Sequence, residues 1–130
     1  MSVRVGTDKV QKDGEVFKVK SVKNHPRFSP FSFNNDFSLL ELEKEIELSP
    51  GVTEAIEIAA KADKIAEGTE ALVSGWGRTQ TRNETREILR GVVIPIVNQK
   101  ECKDAYNGIV TVTNNMVCAG DFAKGGKDSR

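Results

Sequence analysis

Hydrophobic and polar positions alternate with a period of two over much of this chain, the pattern of strands with one packed side and one wet side. Residues 16–22 set Val16, Lys18, Lys20 and Val22 on one face and Phe17, Val19 and Ser21 on the other. Residues 3–5 alternate in the same way, and Asp13-Gly14 between the two segments is a turn pair, which together predict a hairpin. Residues 24–35, with Pro26, Pro30 and several serines and asparagines, read as a loop ahead of a short apolar strand at 37–42. Further strands are predicted at 70–76, ending in a Gly-Trp-Gly turn, at 89–97 and at 109–119. Pro95 cannot donate to a ladder, so the 89–97 strand belongs at an edge or a bulge. Residues 77–87 between them form a polar loop rich in arginine and threonine.

Helical signals are fewer. The acidic run 41–47 could pass for helix, but Pro50-Gly51 then imposes a turn. Residues 53–66 have high helix propensity, and local preference alone makes them a helix. A short helix is predicted at 101–106. No internal repeat or low-complexity tract interrupts the chain. Many short strands separated by turns at fairly regular spacing read as an all-β barrel or sandwich.

A length of 130 residues suits one ordinary domain. Nineteen basic residues balance nineteen acidic ones, and the two signs are mixed along the chain. No strong field therefore favours nucleic acid or an anionic membrane as partner. No apolar run approaches the length of a membrane span. Residues 1–6 meet a charge at once and no apolar core follows, so no signal peptide is read there. Two cysteines permit one disulfide and do not by themselves identify a compartment. Asn83-Glu84-Thr85 is a glycosylation triplet at Asn83, meaningful only in a secreted protein.

Four segments, in order, carry a family resemblance. They are Asn34-Asn35-Asp36-Phe37-Ser38-Leu39-Leu40-Glu41-Leu42, then Gly68-Thr69-Glu70-Ala71-Leu72-Val73 running into Ser74-Gly75-Trp76-Gly77. Next come Leu89-Arg90-Gly91-Val92-Val93-Ile94-Pro95-Ile96-Val97 leading to Glu101-Cys102, and Asn114-Asn115-Met116-Val117-Cys118-Ala119-Gly120 followed by Gly125-Gly126-Lys127-Asp128-Ser129. Together they resemble the trypsin-like serine proteases of the chymotrypsin family, from about residue 3 to residue 129. The resemblance implies a chymotrypsin-like double six-stranded β-barrel, only partly present. Residues 1–50 would be the second half of the first barrel, 51–67 the connection, and 68–130 the first half of the second barrel. That connection is extended in the family, so the extended form is expected at 53–66 in place of the locally favoured helix.

The resemblance also assigns residues. Asn-Asn-Asp before an apolar strand is, on its own, a loop or cap; the resemblance makes Asp36 the triad aspartate, whose carboxylate fixes the tautomer of a catalytic imidazole. Asp128 matches the base of the primary specificity pocket, where a carboxylate would pair with a substrate Arg or Lys, and Ser129 would line that pocket. Cys102 and Cys118 match a loop disulfide, and Trp76 a buried, packing indole. His25, in Asn24-His25-Pro26-Arg27-Phe28, is the only histidine. The family's catalytic histidine lies upstream in an Ala-Ala-His-Cys segment absent here, so His25 is read as a surface or packing residue. Arg130 stands where the family has a cysteine, and the nucleophilic serine lies beyond that point. Asp8, Asp13 and Glu15 fall near the family's calcium loop with different spacing, and are read as solvated carboxylates. No metal or cofactor is expected.

Two functions follow as expectations. The first is a trypsin-like serine endopeptidase acting on peptides or proteins with a basic P1 residue, secreted, and here a truncated chain inactive alone unless a companion chain supplies the remainder. The second is a non-catalytic protease homologue that binds or regulates a partner.

Overall fold

The computed structural model describes residues 1–60, 63–79 and 84–121. Their strands form two antiparallel sheets. The first contains β1 (Ser2–Val5), β2 (Glu15–Asn24) and β3 (Ser38–Leu42) in the order β1-β2-β3. The second pairs β4 (Glu70–Gly75) with β5 (Arg90–Pro95). One helix, α1 (Gln99–Ala105), follows. The architecture is all-β, as the alternation predicts, and fits a partial chymotrypsin-like barrel.

The β1–β2 hairpin closes with Val5 opposite Glu15. Asp13 and Gly14 take φ of 55° and 60°, the left-handed geometry that an Asp-Gly pair reaches at little cost. A Cβ on Gly14 would run into the Val5 carbonyl oxygen, so only glycine fits there. Along β2 the Phe17, Val19 and Ser21 face turns inward, while Val16 and Val22 stay exposed. The β2–β3 register slips between Val19 and Ser21, leaving Lys20 as the extra residue of a bulge. Glu41 sits across that bulge, accepting from the Lys20 ammonium at 2.6 Å and from the Ser21 hydroxyl at 2.8 Å.

Three sequence expectations need correction or decision. The run 41–47 ends β3 and then bends without forming a helix. The helix favoured locally at 53–66 is absent from its described residues; 54–60 form neither helix nor strand after a tight Ser49–Thr53 bridge around Pro50-Gly51. A helix this short is marginal without packing, and Ile56 and Ile58, two residues apart, share a strand-like face instead of a helical stripe. The strand expected at 109–119 does not form either. A turn at Asn114-Asn115, closed by the Met116 amide on the Thr113 carbonyl (3.3 Å), breaks the run, and only Ala119 bridges back to Ile96.

Helix α1 begins where Asn98 caps it, its side-chain oxygen accepting the amides of Lys100 (2.8 Å) and Glu101 (3.4 Å). Cys102 is its one buried residue. Among the described residues, the buried hydrophobic side chains are Phe17, Ile94 and Cys102. Leu39, Ile56 and Leu72 are 55%, 91% and 71% exposed, so both sheets and the connection present apolar side chains to the outside.

Candidate functional site

Asp36 lies just ahead of β3, and its backbone is held on both sides. The Phe37 amide donates to the Asn35 carbonyl at 2.8 Å, closing a tight turn centred on Asp36. The Phe37 carbonyl in turn accepts the His25 amide at 2.9 Å, which extends the β2–β3 ladder to the residue beside Asp36. Phe33 and Asn35 both occupy the left-handed region, at φ of 54° and 56°. Asparagine tolerates that region; phenylalanine is rarely found there. The Asp36 carboxylate is exposed, and among the described residues no hydrogen bond or ion pair engages it. The triad role foreseen for it calls for a buried carboxylate, so within this chain the covering surface is not in place.

His25 is near Asp36 along the sheet but turned to a different task. Its Nδ1 accepts the Arg27 amide at 3.1 Å, and its carbonyl accepts the Phe28 amide at 3.0 Å. With Nδ1 accepting, a neutral His25 ring carries its N–H on Nε2, and among the described residues no hydrogen bond joins that ring to the Asp36 carboxylate.

A second loop, not foreseen from local pattern, reaches the Asp36 segment. Thr113 Oγ donates to Asn34 Oδ1 at 2.8 Å, and Asn115 Nδ2 donates to Oδ1 of both Asn34 and Asn35 at 3.1 Å each. Asn35 also donates through Nδ2 to the Arg27 carbonyl at 3.0 Å. Two Asn-Asn pairs, at 34–35 and 114–115, were the available signal. Neither pair alone says that it will meet the other.

The loop that carries Thr113 and Asn115 is closed by the Cys102–Cys118 disulfide, with Cα atoms 6.3 Å apart. The pairing expected from the resemblance is therefore formed. Beside this loop, an open cleft of about 590 Å³ separates Phe31 from residues 107–112. Trp76, read as a buried indole, is 38% exposed. Its indole N–H donates to the Asp8 carbonyl at 2.9 Å. Asp13 pairs with Lys9 at 2.9 Å, which lowers the Asp13 pKa and raises that of Lys9. Lys20 likewise holds Glu41 below the ordinary glutamate range. These perturbed groups lie at exposed ion pairs away from Asp36. Asn83, Asp128 and Ser129 lie outside the described residues.

The pattern that defines the family described as Trypsin matches residues 1–130. Trypsin 5G1 of Aedes aegypti is 42% identical over 129 residues, covering 99% of this chain and 48% of the relative. Trypsin Tyr p 3.0101 of Tyrophagus putrescentiae is 38% identical over 130 residues, covering 99% of this chain and 45% of the relative. Trypsin II-P29 of Gallus gallus is 39% identical over 122 residues, covering 92% and 47%. The chain thus spans about half the length of the curated relatives it matches. The family match over its whole length, with the antiparallel sheets and the formed loop disulfide, establishes that this chain belongs to the trypsin family of serine proteases.

Proposed function

We propose that these 130 residues are the part of a trypsin-like serine endopeptidase that contributes the triad aspartate and the base of the primary specificity pocket. Residues 1–50 belong to its first barrel, 51–67 to the connection and 68–130 to its second barrel. Asp36 is the residue that would orient a catalytic imidazole and stabilise the imidazolium formed in acyl transfer. Asp128 would pair with the Arg or Lys of a substrate at P1, with Ser129 beside it.

The observation that carries this reading is Asp36 at the head of β3, its backbone held on both sides and its exposed carboxylate engaged by no hydrogen bond or ion pair among the described residues. No hydrogen bond joins His25 to Asp36 among the described residues, and on this reading the general base and the nucleophile come from other parts of the enzyme. The apolar sides of the two sheets give a companion segment a surface to cover, and covering it would bury Asp36. A disulfide at Cys102–Cys118 suits an oxidising, extracellular setting, which supports secretion.

The test is a spliced enzyme in which these residues replace the matching segment of the Aedes relative. It should cleave after Arg and Lys, and Asp128→Ser should abolish that preference. Retention of basic P1 selectivity in the Asp128→Ser enzyme would remove Asp128 from its proposed role.

A further inference from the structure

We propose that Asn34, Asn35, Thr113 and Asn115 form an amide clasp that positions Asp36 from the disulfide-closed loop. The proposal rests on the reading of Asp36 as the triad aspartate and adds positioning residues to it.

The donors and acceptors are mutually consistent. The Thr113 hydroxyl accepts the Asn115 amide at 3.2 Å, which directs its own proton to Asn34 Oδ1. That oxygen has two lone pairs, and both are used, by Thr113 and by Asn115 Nδ2. The Asn115 amide spans Asn34 and Asn35, so one side chain grips two successive residues just before Asp36.

The far side of the clasp is rigidly mounted. Gln99 Nε2 donates to the Thr113 carbonyl at 2.8 Å, and Lys103 Nζ donates to Asn114 Oδ1 at 2.7 Å, tying the loop to helix α1. The Cys102–Cys118 bond closes the same loop. The near side needs such support. Phe33 and Asn35 sit in the left-handed region on either side of Asn34, and non-glycine residues persist there only when their surroundings over-determine them. Asn35 passes the restraint on through its own Nδ2 bond to the Arg27 carbonyl. An ordinary contact between loops would hold them together without fixing the Asp36 carboxylate, and that difference can be measured.

NMR on the isotopically labelled spliced enzyme reads both ends. The Asn115 side-chain amide hydrogens should exchange about fivefold faster in Asn34→Ala than in the unsubstituted enzyme, the factor a typical hydrogen bond represents. Thr113→Val should shift the Asp36 carboxyl carbon resonance, and Thr113→Ser should return it. Asn114→Ala should leave it in place, because Asn114 bonds to Lys103 and not to the Asp36 segment. The methyls of buried Ile94 report that each variant is folded. An Asp36 resonance unmoved by both Thr113→Val and Asn115→Ala overturns the proposal, as does random-coil exchange of the Asn115 amide in the unsubstituted enzyme. Loss of the triad role alone would leave these readouts intact and appear only in the rate of the spliced enzyme carrying Asp36→Asn.

Discussion

The indole N–H of Trp76 donates to the Asp8 carbonyl at 2.9 Å, and the same oxygen accepts the Leu89 amide at 2.6 Å. One backbone oxygen of the β1–β2 loop thus receives the turn after β4 and the segment before β5. The Val10 amide adds a bond to the Glu87 carbonyl at 2.8 Å. Trp76→Phe keeps most of the apolar volume and deletes the indole donor. It should cost about 1 kcal/mol, seen as roughly fivefold faster hydrogen exchange at the Leu89 and Val10 amides. Asp8→Ala leaves the carbonyl in place and should leave both rates unchanged.

The loop between Cys102 and Cys118, with a sequence separation of 16, is the covalent brace of the second half. In the chain-entropy account, closing a loop of that size contributes roughly 3 kcal/mol. Reduction, or Cys118→Ser, should therefore raise amide exchange at Val97, which donates to the Cys118 carbonyl at 2.8 Å. The Val22 and Lys23 amides of the β2–β3 ladder should be unaffected.

Glu41 gives the first sheet an acid sensitivity. Its pKa is lowered chiefly by the hydrogen bond from Lys20, then by that from Ser21 and by the Lys20 charge. A depressed carboxylate pKa means stabilisation fully present above the unfolded-state value and lost as pH falls through the folded value. For Lys20, whose pKa is raised, the same contribution is lost at the alkaline end, as pH rises through its folded value. Both side chains are well exposed, at 62% and 49%, so the effect is small and screened by salt. Glu41→Gln should flatten the loss of β2–β3 exchange protection on the acid side, and high salt should do the same in the unsubstituted chain.

Exposure of Leu39, Ile56 and Leu72 sets the behaviour of the chain on its own. Exposed apolar side chains and open strand edges favour association. Sedimentation should show concentration-dependent self-association, and urea should give a shallow transition. A steep, cooperative transition in a monomer would contradict this.

Much of the scaffold was legible because period-two alternation is local. The alternation over 16–22 separated the Phe17, Val19 and Ser21 face from the Val16 and Val22 face, and Asp13-Gly14 marked the turn before them. The short helix predicted at 101–106 forms as α1, which starts at Gln99 because Asn98 caps it with its own side chain. Non-local outcomes were less legible. The helix propensity of residues 53–66 is not expressed in its described residues, and the apolar run 109–119 was broken by a turn at Asn114-Asn115. The exposure of Trp76 depends on what surrounds the turn rather than on the turn itself. Asp36 was singled out through its motif, but Thr113 and Asn115, which bond the side chains of Asn34 and Asn35 before it, lie about eighty positions away, and no local pattern reports that meeting.

The central claim is that Asp36 is the triad aspartate of a trypsin-like endopeptidase, and kcat of the spliced enzyme on an Arg ester measures it most directly. The 130-residue chain alone should show no turnover. In the spliced enzyme Asp36→Asn should lower kcat by about 10⁴-fold, a figure carried over from the triad aspartate of other serine proteases rather than derived for this one. A spliced enzyme that keeps its kcat with Asn at this position, or an isolated chain whose turnover survives repurification and tracks Asp36, would contradict the account.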